Sequence, residues 1–194
     1  MAEAASYWEG RRNVLYYQVV RVLTEGLGKK AKSIIDVGSG GCPYLDWFPK
    51  IAHRTSLDIA VPHVAEGVTS VKADFLAWTP DRRYDIVLCL QVLEHIPDAG
   101  AFARKLLDIG AVVVASVPYK WPHGKTASHV HDPVDEEKML AWFGRAPNFS
   151  YVCREVVAPV ERLICVYDRI PDAWTALNRR DMALAAQAAP APPA

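Results

Sequence analysis

The sequence is short of the features that mark membrane, secreted and metal-cluster proteins. It has four cysteines and no CxxC pair, which argues against a disulfide framework or a zinc cluster and favours reduced thiols. Its longest apolar runs, such as 111–117, fall far below the roughly 18–20 residues that a membrane helix needs. Residues 1–12 carry Glu3 and Glu9 and lack the basic-then-apolar layout of a signal peptide. We therefore expect a cytoplasmic protein that makes no contact with a membrane.

An excess of charge of one sign is also absent. The 22 basic and 22 acidic side chains give a formal net charge of zero, which argues against binding to nucleic acid through overall charge. At 194 residues, 51% hydrophobic, the chain is long and apolar enough for one domain with a proper core. We place that domain over residues 1–187. The tail 188–194 is rich in alanine and proline and is predicted to be disordered.

Short apolar runs alternate with helical patterns along most of the chain. Apolar residues at helical spacing predict helices over 4–27, 44–50, 98–108, 134–143 and 172–187. Short β-branched runs predict strands over 33–37, 55–59, 70–73, 84–90, 111–117, 151–158 and 163–168. The alternation favours an α/β fold with helices on both faces of the sheet. The short link between the last two strands favours antiparallel pairing.

A glycine-rich turn follows the first predicted strand. The chain runs Asp36-Val37-Gly38-Ser39-Gly40 there, and glycines at this point let the backbone turn sharply and approach a ligand closely. In a doubly wound sheet, ligands bind at such strand ends. An ordinary tight turn between a strand and a helix is the alternative.

Acidic residues also end the next two predicted strands. A carboxylate at Asp58 can accept hydrogen bonds from both ribose hydroxyls of an adenosine, and the neighbouring Ile59 is assigned to the same site. Asp74 can accept from the adenine amino group, and Phe75 beside it can stack on the base. Acids at three successive strand ends predict an adenosine-binding site.

The turn itself narrows the choice of adenosine ligand. A dinucleotide fingerprint would need a third glycine where this chain has Pro43, so a nicotinamide dehydrogenase is disfavoured. The carboxylate of Asp36 would repel a phosphate but suits a ligand with a positive ammonium group. S-adenosylmethionine has that chemistry.

In these motifs the sequence resembles the class I S-adenosylmethionine-dependent methyltransferases. The resemblance covers about residues 33–143 and lies in Asp36 to Gly40, Asp58, Ala73-Asp74-Phe75 and Tyr84-Asp85-Ile86-Val87. It implies that Gly38 and Gly40 line the methionine end, that Asp58 holds the ribose, and that Asp74 and Phe75 hold the adenine. It also implies a Rossmann-like, doubly wound, mostly parallel seven-stranded sheet with an antiparallel last strand. Cys42, where many members carry a third glycine, is a departure from the pattern.

A second group of polar residues follows the fourth predicted strand. Gln91, Glu94 and His95 lie there, and the predicted loop 119–133 adds three histidines, His123, His129 and His131. Carboxylate and imidazole groups from two loops at one end of a sheet are suitable ligands for a divalent ion. Gln91 is assigned to the cofactor because its position faces the transferred methyl group. Capping, packing or a hydrogen-bonded loop core is the alternative role for these residues.

This segment resembles the ExxEH pattern with a distant histidine found in metal-dependent methyltransferases that act on small RNA or quinones. The resemblance implies that Glu94, His95 and His129 bind a magnesium-like ion, and Gln91 replaces the first glutamate of the pattern. His123 or His131 is then predicted as the general base, since imidazole titrates near neutral pH. Without a metal, His95 or His129 would act as the base.

Tyr119 and Trp121 follow the fifth strand and are predicted to rim the acceptor pocket, although Trp121 could instead cover the core. The stretch 116–143 resembles small bacterial sugar methyltransferases, such as the sugar 1-O-methyltransferase of methylmannose-polysaccharide synthesis. We therefore predict O-methylation of a sugar or oligosaccharide hydroxyl. Methylation of small phenols or quinones and a non-catalytic adenosine-binding domain are the alternatives. The expected partner is that small-molecule or oligosaccharide acceptor, and a homodimer stays open.

Overall fold

The computed structural model describes residues 13–156 and 158–169. Three helices lie in them, α1 (Leu15–Leu27), α2 (Ala99–Ile109) and α3 (Glu136–Phe143), with 3-10 turns at Tyr44–Trp47 and Leu93–His95. The strands are β1 (Ser33–Val37), β2 (His53–Asp58), β3 (Val68–Lys72), β4 (Tyr84–Leu90), β5 (Gly110–Pro118), β6 (Phe149–Arg154) and β7 (Glu161–Asp168). In that part of the chain, no helix has the length and apolar content that a membrane crossing requires.

The seven strands form one mixed sheet in the order β3-β2-β1-β4-β5-β7-β6. The first five strands in that order are parallel, and β7 runs antiparallel to both of its neighbours. This confirms the predicted α/β fold, including the reversed last strand. The strand order reverses at β1, which lies between β2 and β4, and such a switch point opens a crevice at the carboxyl ends of the strands.

Two apolar cores lie on opposite faces of the sheet because successive side chains of a strand point to opposite faces. Ile35 and its neighbours on one face pack with Phe102 and Leu106 of α2. Ile34 and its neighbours on the other face pack with Tyr17 and Val20 of α1. The central strands β1 and β4 are therefore buried along almost their whole length, as expected of parallel strands covered on both faces.

The predicted boundaries of β1 and β4 match the structure, and the other elements differ mainly at their ends. The predicted helix 44–50 is only a 3-10 turn that ends at Trp47, since a residue before a proline, here Phe48 before Pro49, disfavours the α conformation. The strand predicted over 151–158 ends at Arg154. The start of the first predicted helix, the helix predicted over 172–187 and the tail 188–194 lie outside the described residues.

Candidate functional site

The glycine turn after β1 crosses the end of β2. The backbone N–H groups of Gly38 and Ser39 donate to the carbonyl of Leu57 at 2.8 and 3.3 Å. Gly38 has a φ of 76°, and a Cβ there would lie 2.6 Å from a methyl of Val92. A side chain at position 38 is thus excluded both by backbone conformation and by space. Gly40 has a φ of 56° but open space around it.

Asp36 is buried in the last part of β1, with 1% of its surface exposed. Its Oδ2 accepts no hydrogen bond from any described residue. Burial, and then repulsion from Asp58, raises the pKa of Asp36 to about 8. A buried carboxylate of this kind is stabilised by an added positive charge.

Asp58 lies at the end of β2, and three backbone N–H groups donate to its carboxylate. Its Oδ2 accepts from the N–H of Gly40 at 2.8 Å, and its Oδ1 accepts from Ala60 and Val61 at 2.7 and 2.8 Å. These bonds tie the glycine turn to the segment after β2 and fix the carboxylate in place. Ile59 next to it is 69% exposed.

Asp74 and Phe75 follow β3 but differ in exposure. Asp74 is exposed, and its Oδ1 accepts from the N–H of Leu76 at 2.9 Å. Phe75 is 3% exposed and packs its ring 4.5 Å from that of Phe102 in the core under α2. The ring that was predicted to stack on adenine therefore packs in the core, with little of its surface exposed.

Gln91 begins the segment after β4 with a φ of 60°, which is uncommon for a residue with a side chain. Its backbone N–H donates to the carbonyl of Ser116 at 2.9 Å, and its Nε2 donates to the Ser116 hydroxyl at 3.2 Å. That hydroxyl lies 2.5 Å from the hydroxyl of Tyr16 in α1. A buried Tyr16–Ser116 pair thus holds the Gln91 amide in one orientation.

The 3-10 turn after β4 and the loop after β5 bring one acid and two histidines together. One ligand atom from each of Glu94, His95 and His129 lies within 4.8 Å of the other two. Glu94 is 1% exposed, and neither of its carboxylate oxygens accepts a hydrogen bond within the described part of the chain. Burial is the main reason that its pKa rises to about 8.

Both histidines of this cluster are oriented through Nδ1. His95 Nδ1 donates to the carbonyl oxygen of Ser128 at 3.0 Å, and His129 Nδ1 lies 2.7 Å from Oδ2 of the buried Asp132. In the neutral rings this leaves Nε2 unprotonated, because the other nitrogen carries the proton. Burial also lowers the pKa of His95, which favours its neutral form.

The cluster fits a divalent metal ion by the chemistry of its donors. A buried carboxylate without hydrogen bonds and two imidazoles with unprotonated Nε2 atoms are what a cation would satisfy. The contact from His129 to Asp132 is typical of the carboxylate that orients a metal-binding histidine. Two imidazoles suit manganese, cobalt or zinc better than magnesium, which prefers oxygen ligands.

The two histidines predicted as bases lie in different surroundings. His131 donates through Nε2 to the carbonyl of Ile96 at 2.8 Å, and its ring packs edge-on against Trp142 at 5.1 Å. This bond helps to fasten the loop to the turn after β4, together with the bond from Val130 N–H to the Glu94 carbonyl. His123 lies exposed on the same loop.

The two aromatic residues predicted to rim the acceptor pocket, Tyr119 and Trp121, also lie in different surroundings. The Tyr119 hydroxyl donates to Glu136 of α3 at 2.9 Å. Trp121 is half-buried, its Nε1 donates to the carbonyl of Glu161 at 3.1 Å, and its ring stacks 5.9 Å from that of His129. Trp121 therefore lies beside the Glu94–His95–His129 cluster, and Tyr119 is directed to α3.

Sequence reasoning missed three residues that border this site, Ser116, Asp132 and Arg162. The spacing of Asp132 three residues after His129 is a signal that could have found it. Ser116 and Arg162 carried no local signal, since their place depends on how β5 and β7 pair. Arg162 is buried and forms an ion pair with Glu155, with Nη1 and Oε1 3.2 Å apart.

Comparisons with known proteins agree with this fold. A family model described as a methyltransferase domain matches residues 7–153. A ubiquinone biosynthesis O-methyltransferase of Rhodopseudomonas palustris (strain BisB18) is 23% identical over 168 residues, covering 73% of this chain and 64% of that protein. The chain thus spans a little under two thirds of the length of this curated relative.

Two solved structures resemble the fold. The N-methyltransferase NodS from Bradyrhizobium japonicum WM9, in complex with S-adenosyl-L-homocysteine, has a TM-score of 0.65 at 10% identity and covers 81% of this chain and 89% of its own. The 1,6-didemethyltoxoflavin-N1-methyltransferase of Burkholderia thailandensis has a TM-score of 0.61 at 18% identity, with 86% and 85% covered. At these identities the likeness establishes a common fold.

Proposed function

The chain belongs to the methyltransferase-domain family, and on that premise we propose that it transfers a methyl group from S-adenosylmethionine to a hydroxyl oxygen of a small molecule. The observation that carries the choice of oxygen is the Glu94–His95–His129 cluster beside the end of β4. A neutral hydroxyl is a poor nucleophile, so an enzyme must lower its pKa or remove its proton. A cationic centre there would serve that need.

The chain's own residues would hold the cofactor at the ends of β1, β2 and β3. S-adenosylmethionine supplies the electrophilic methyl group. Asp58 keeps lone pairs beyond its backbone bonds that can accept from ribose hydroxyls. The orphaned Oδ2 of Asp36 would stabilise the positive methionine end, and Asp74 would accept from the adenine amino group.

The same site would hold a divalent metal through Glu94, His95 and His129, with Asp132 and the Ser128 carbonyl orienting the rings. Bound there, the ion would supply positive charge next to the acceptor oxygen. Glu94 would contribute a buried carboxylate that accepts no hydrogen bond from the described residues. His123 is the histidine we propose as proton acceptor, because the Nε2 of His131 is already bonded to Ile96.

Two acceptor classes are consistent with a hydroxyl nucleophile. A sugar hydroxyl is the first, supported by the half-buried Trp121 next to His129, since aromatic rings pack well against sugar faces. A phenol or quinol is the second, favoured by the ubiquinone pathway in the curated relative's name. The metal we propose is a first-row divalent ion, with magnesium as the competing choice.

A methyl-transfer assay with labelled cofactor tests the proposal. The acceptor panel should contain neutral and acidic sugars, phenols and quinols, each with chelator, with magnesium and with manganese. We expect an O-methyl ether as product, loss of turnover in chelator and recovery with the metal. Cofactor binding without turnover of any acceptor would instead favour a non-catalytic adenosine-binding domain.

A further inference from the structure

Arg162 is a buried cation at the edge of the sheet where the candidate site lies. It is the second residue of β7 and pairs with Pro118 at the carboxyl end of β5. Its side chain is 11% exposed. The antiparallel direction of β7 therefore brings its amino end, with Arg162, to the edge where the parallel strands end.

The guanidinium of Arg162 lies among residues of the candidate site. Its Cζ is 5.0 Å from the ring centre of Tyr16 and 6.0 Å from that of Trp121. Trp121 in turn stacks on His129. Arg162 is therefore linked to the metal-type cluster through the ring of Trp121.

Only a small part of the hydrogen-bonding capacity of Arg162 is used within the described residues. Nη1 donates to Glu155 Oε1 at 3.2 Å, whereas an arginine offers five N–H donors. The Glu155 carboxylate is itself shared, because it also accepts from the N–H groups of Leu15 and Tyr16 at the start of α1. No nitrogen of Arg162 is among the described atoms that are both fully buried and without a partner, so its remaining donors are open to an added oxyanion, which would form charge-assisted hydrogen bonds with them.

A second positive group contacts the same indole ring. Lys125 Nζ is 4.0 Å from the ring centre of Trp121. Trp121 thus carries a cation-π contact with Lys125 and a longer one with Arg162. Together the two cations give the acceptor side of the site a positive character, next to an aromatic ring.

From these contacts we propose that Arg162 binds a carboxylate of the acceptor, so that the preferred acceptor carries both a hydroxyl and an acidic group. The inference rests on the proposed function, since it assigns a substrate class to the same site. A planar guanidinium matches a carboxylate in geometry, and such charge-assisted bonds are strong in buried surroundings. Uronic acids among sugars and hydroxybenzoic acids among phenols have this chemistry.

Matched acceptor pairs test the proposal by calorimetry on protein saturated with S-adenosylhomocysteine. The probes are glucuronate against glucose and 3,4-dihydroxybenzoate against catechol, so that any contact of the hydroxyls with a metal cancels within each pair. In at least one pair we expect the acid to bind about tenfold more tightly than its neutral partner. Arg162→Gln should remove that preference, and Arg162→Lys should keep part of it.

Glu155→Gln separates this binding role from a structural one. The variant removes the competing carboxylate but leaves Arg162 in place, so the preference for the acid should persist or increase. If Arg162 only fastens α1 to the β6–β7 hairpin, both variants should lose thermal stability together and neither should change the acid preference. Equal affinities within both pairs, no binding of either acid, or a preference that survives Arg162→Gln overturns the proposal.

Turnover of the same probes distinguishes this proposal from the proposed function. Methylation of glucose or catechol without preference for the acid would retain the proposed function and overturn the carboxylate subsite. Arg162-dependent binding of the acids without methylation of any probe would retain the subsite and contradict the proposed hydroxyl transfer.

Discussion

Asp58 and Glu94 are both buried carboxylates at the carboxyl edge of the sheet, yet their surroundings are opposite. Asp58 accepts three backbone N–H bonds, from Gly40, Ala60 and Val61. Glu94 accepts none through its side chain from the described residues. The chain therefore supplies donors to the first carboxylate and, within the described residues, none to the second.

This difference indicates different partners for two halves of the site, the β1–β2 half that contains Asp58 and the β4–β5 half that contains Glu94. A carboxylate that is fixed by N–H donors has a defined shape and can accept from neutral hydroxyls. A buried carboxylate without donors is energetically costly unless a cation arrives. The β1–β2 half is thus suited to a nucleoside and the β4–β5 half to a metal ion.

The largest expected effect comes from removing the unsatisfied carboxylate. Glu94→Ala should lower turnover by about a hundredfold or more if the metal proposal is right, because it removes a ligand and the charge it balances. Cofactor affinity, measured by calorimetry, should change less than about twofold. Glu137→Gln, at an exposed acid of α3, is the matched control. Full activity of wild-type protein in excess chelator would contradict the metal proposal.

Removing the satisfied carboxylate should give the reverse pattern. Asp58→Ala should weaken S-adenosylhomocysteine binding roughly 10- to 100-fold, because bonds to a charged group are lost. Metal binding by the same variant should stay within about twofold of wild type, since Asp58 is not in the metal-type cluster. Asp58→Asn keeps one acceptor oxygen and should lie between the two. Unchanged cofactor affinity in Asp58→Ala would show that the ribose assignment is wrong.

A smaller effect should follow from the residue that orients His129. Asp132→Asn is expected to weaken manganese binding about tenfold, as loss of a carboxylate behind a metal-binding histidine does. Titration calorimetry with manganese alone measures this without any acceptor. Asp135→Asn, at the N-cap of α3, provides a nearby control that leaves the cluster intact. Equal manganese affinities in wild type, Asp132→Asn and Asp135→Asn would show that Asp132 does not contribute to metal binding.

The residue pattern alone indicated that the acids of the β1–β2 half lie at one edge, whereas the meeting of the β4–β5 residues depended on the family resemblance, and the difference has a physical reason. Acids such as Asp36 and Asp58 end parallel strands, so the fold class alone brings them to one edge. The meeting of His129 with Glu94 was implied only by the family resemblance, because it depends on how a long loop docks. Arg162 was missed, since its position follows from the reversed direction of β7.

The ends of elements were predicted less well than their cores. β4 is almost wholly buried, so its apolar run marks its limits. β7 begins two residues before the prediction, with Glu161 and Arg162, because their backbone pairing with β6 is not visible in a hydrophobic pattern. Tertiary contacts rather than local composition decide such ends.

The last expected effect is on stability and concerns Asp36 and Glu94, whose ionisation follows the same pH trend. The pKa of Asp36 is raised to about 8 in the folded chain, so between about pH 4 and pH 8 the folded state keeps a proton that the unfolded state has lost. The free energy of unfolding should therefore fall as pH rises through that window. Asp36→Asn cannot titrate, so its stability relative to wild type should increase from pH 5 to pH 8.

Thermal melting of the ligand-free protein measures this difference. The quantity to compare is the difference in Tm between Asp36→Asn and wild type at each pH. A gain of about 2 kcal/mol in the variant's relative stability would make this difference roughly 4–8 °C larger at pH 8 than at pH 5. Glu94→Gln should follow the same trend, since the pKa of Glu94 is also raised to about 8. Cofactor should reduce the stability advantage of Asp36→Asn over wild type, and manganese should reduce that of Glu94→Gln. In each case the ligand stabilises the ionised carboxylate that only the wild-type protein has. If neither ligand acts selectively, the two carboxylates do not divide the site between a nucleoside and a metal.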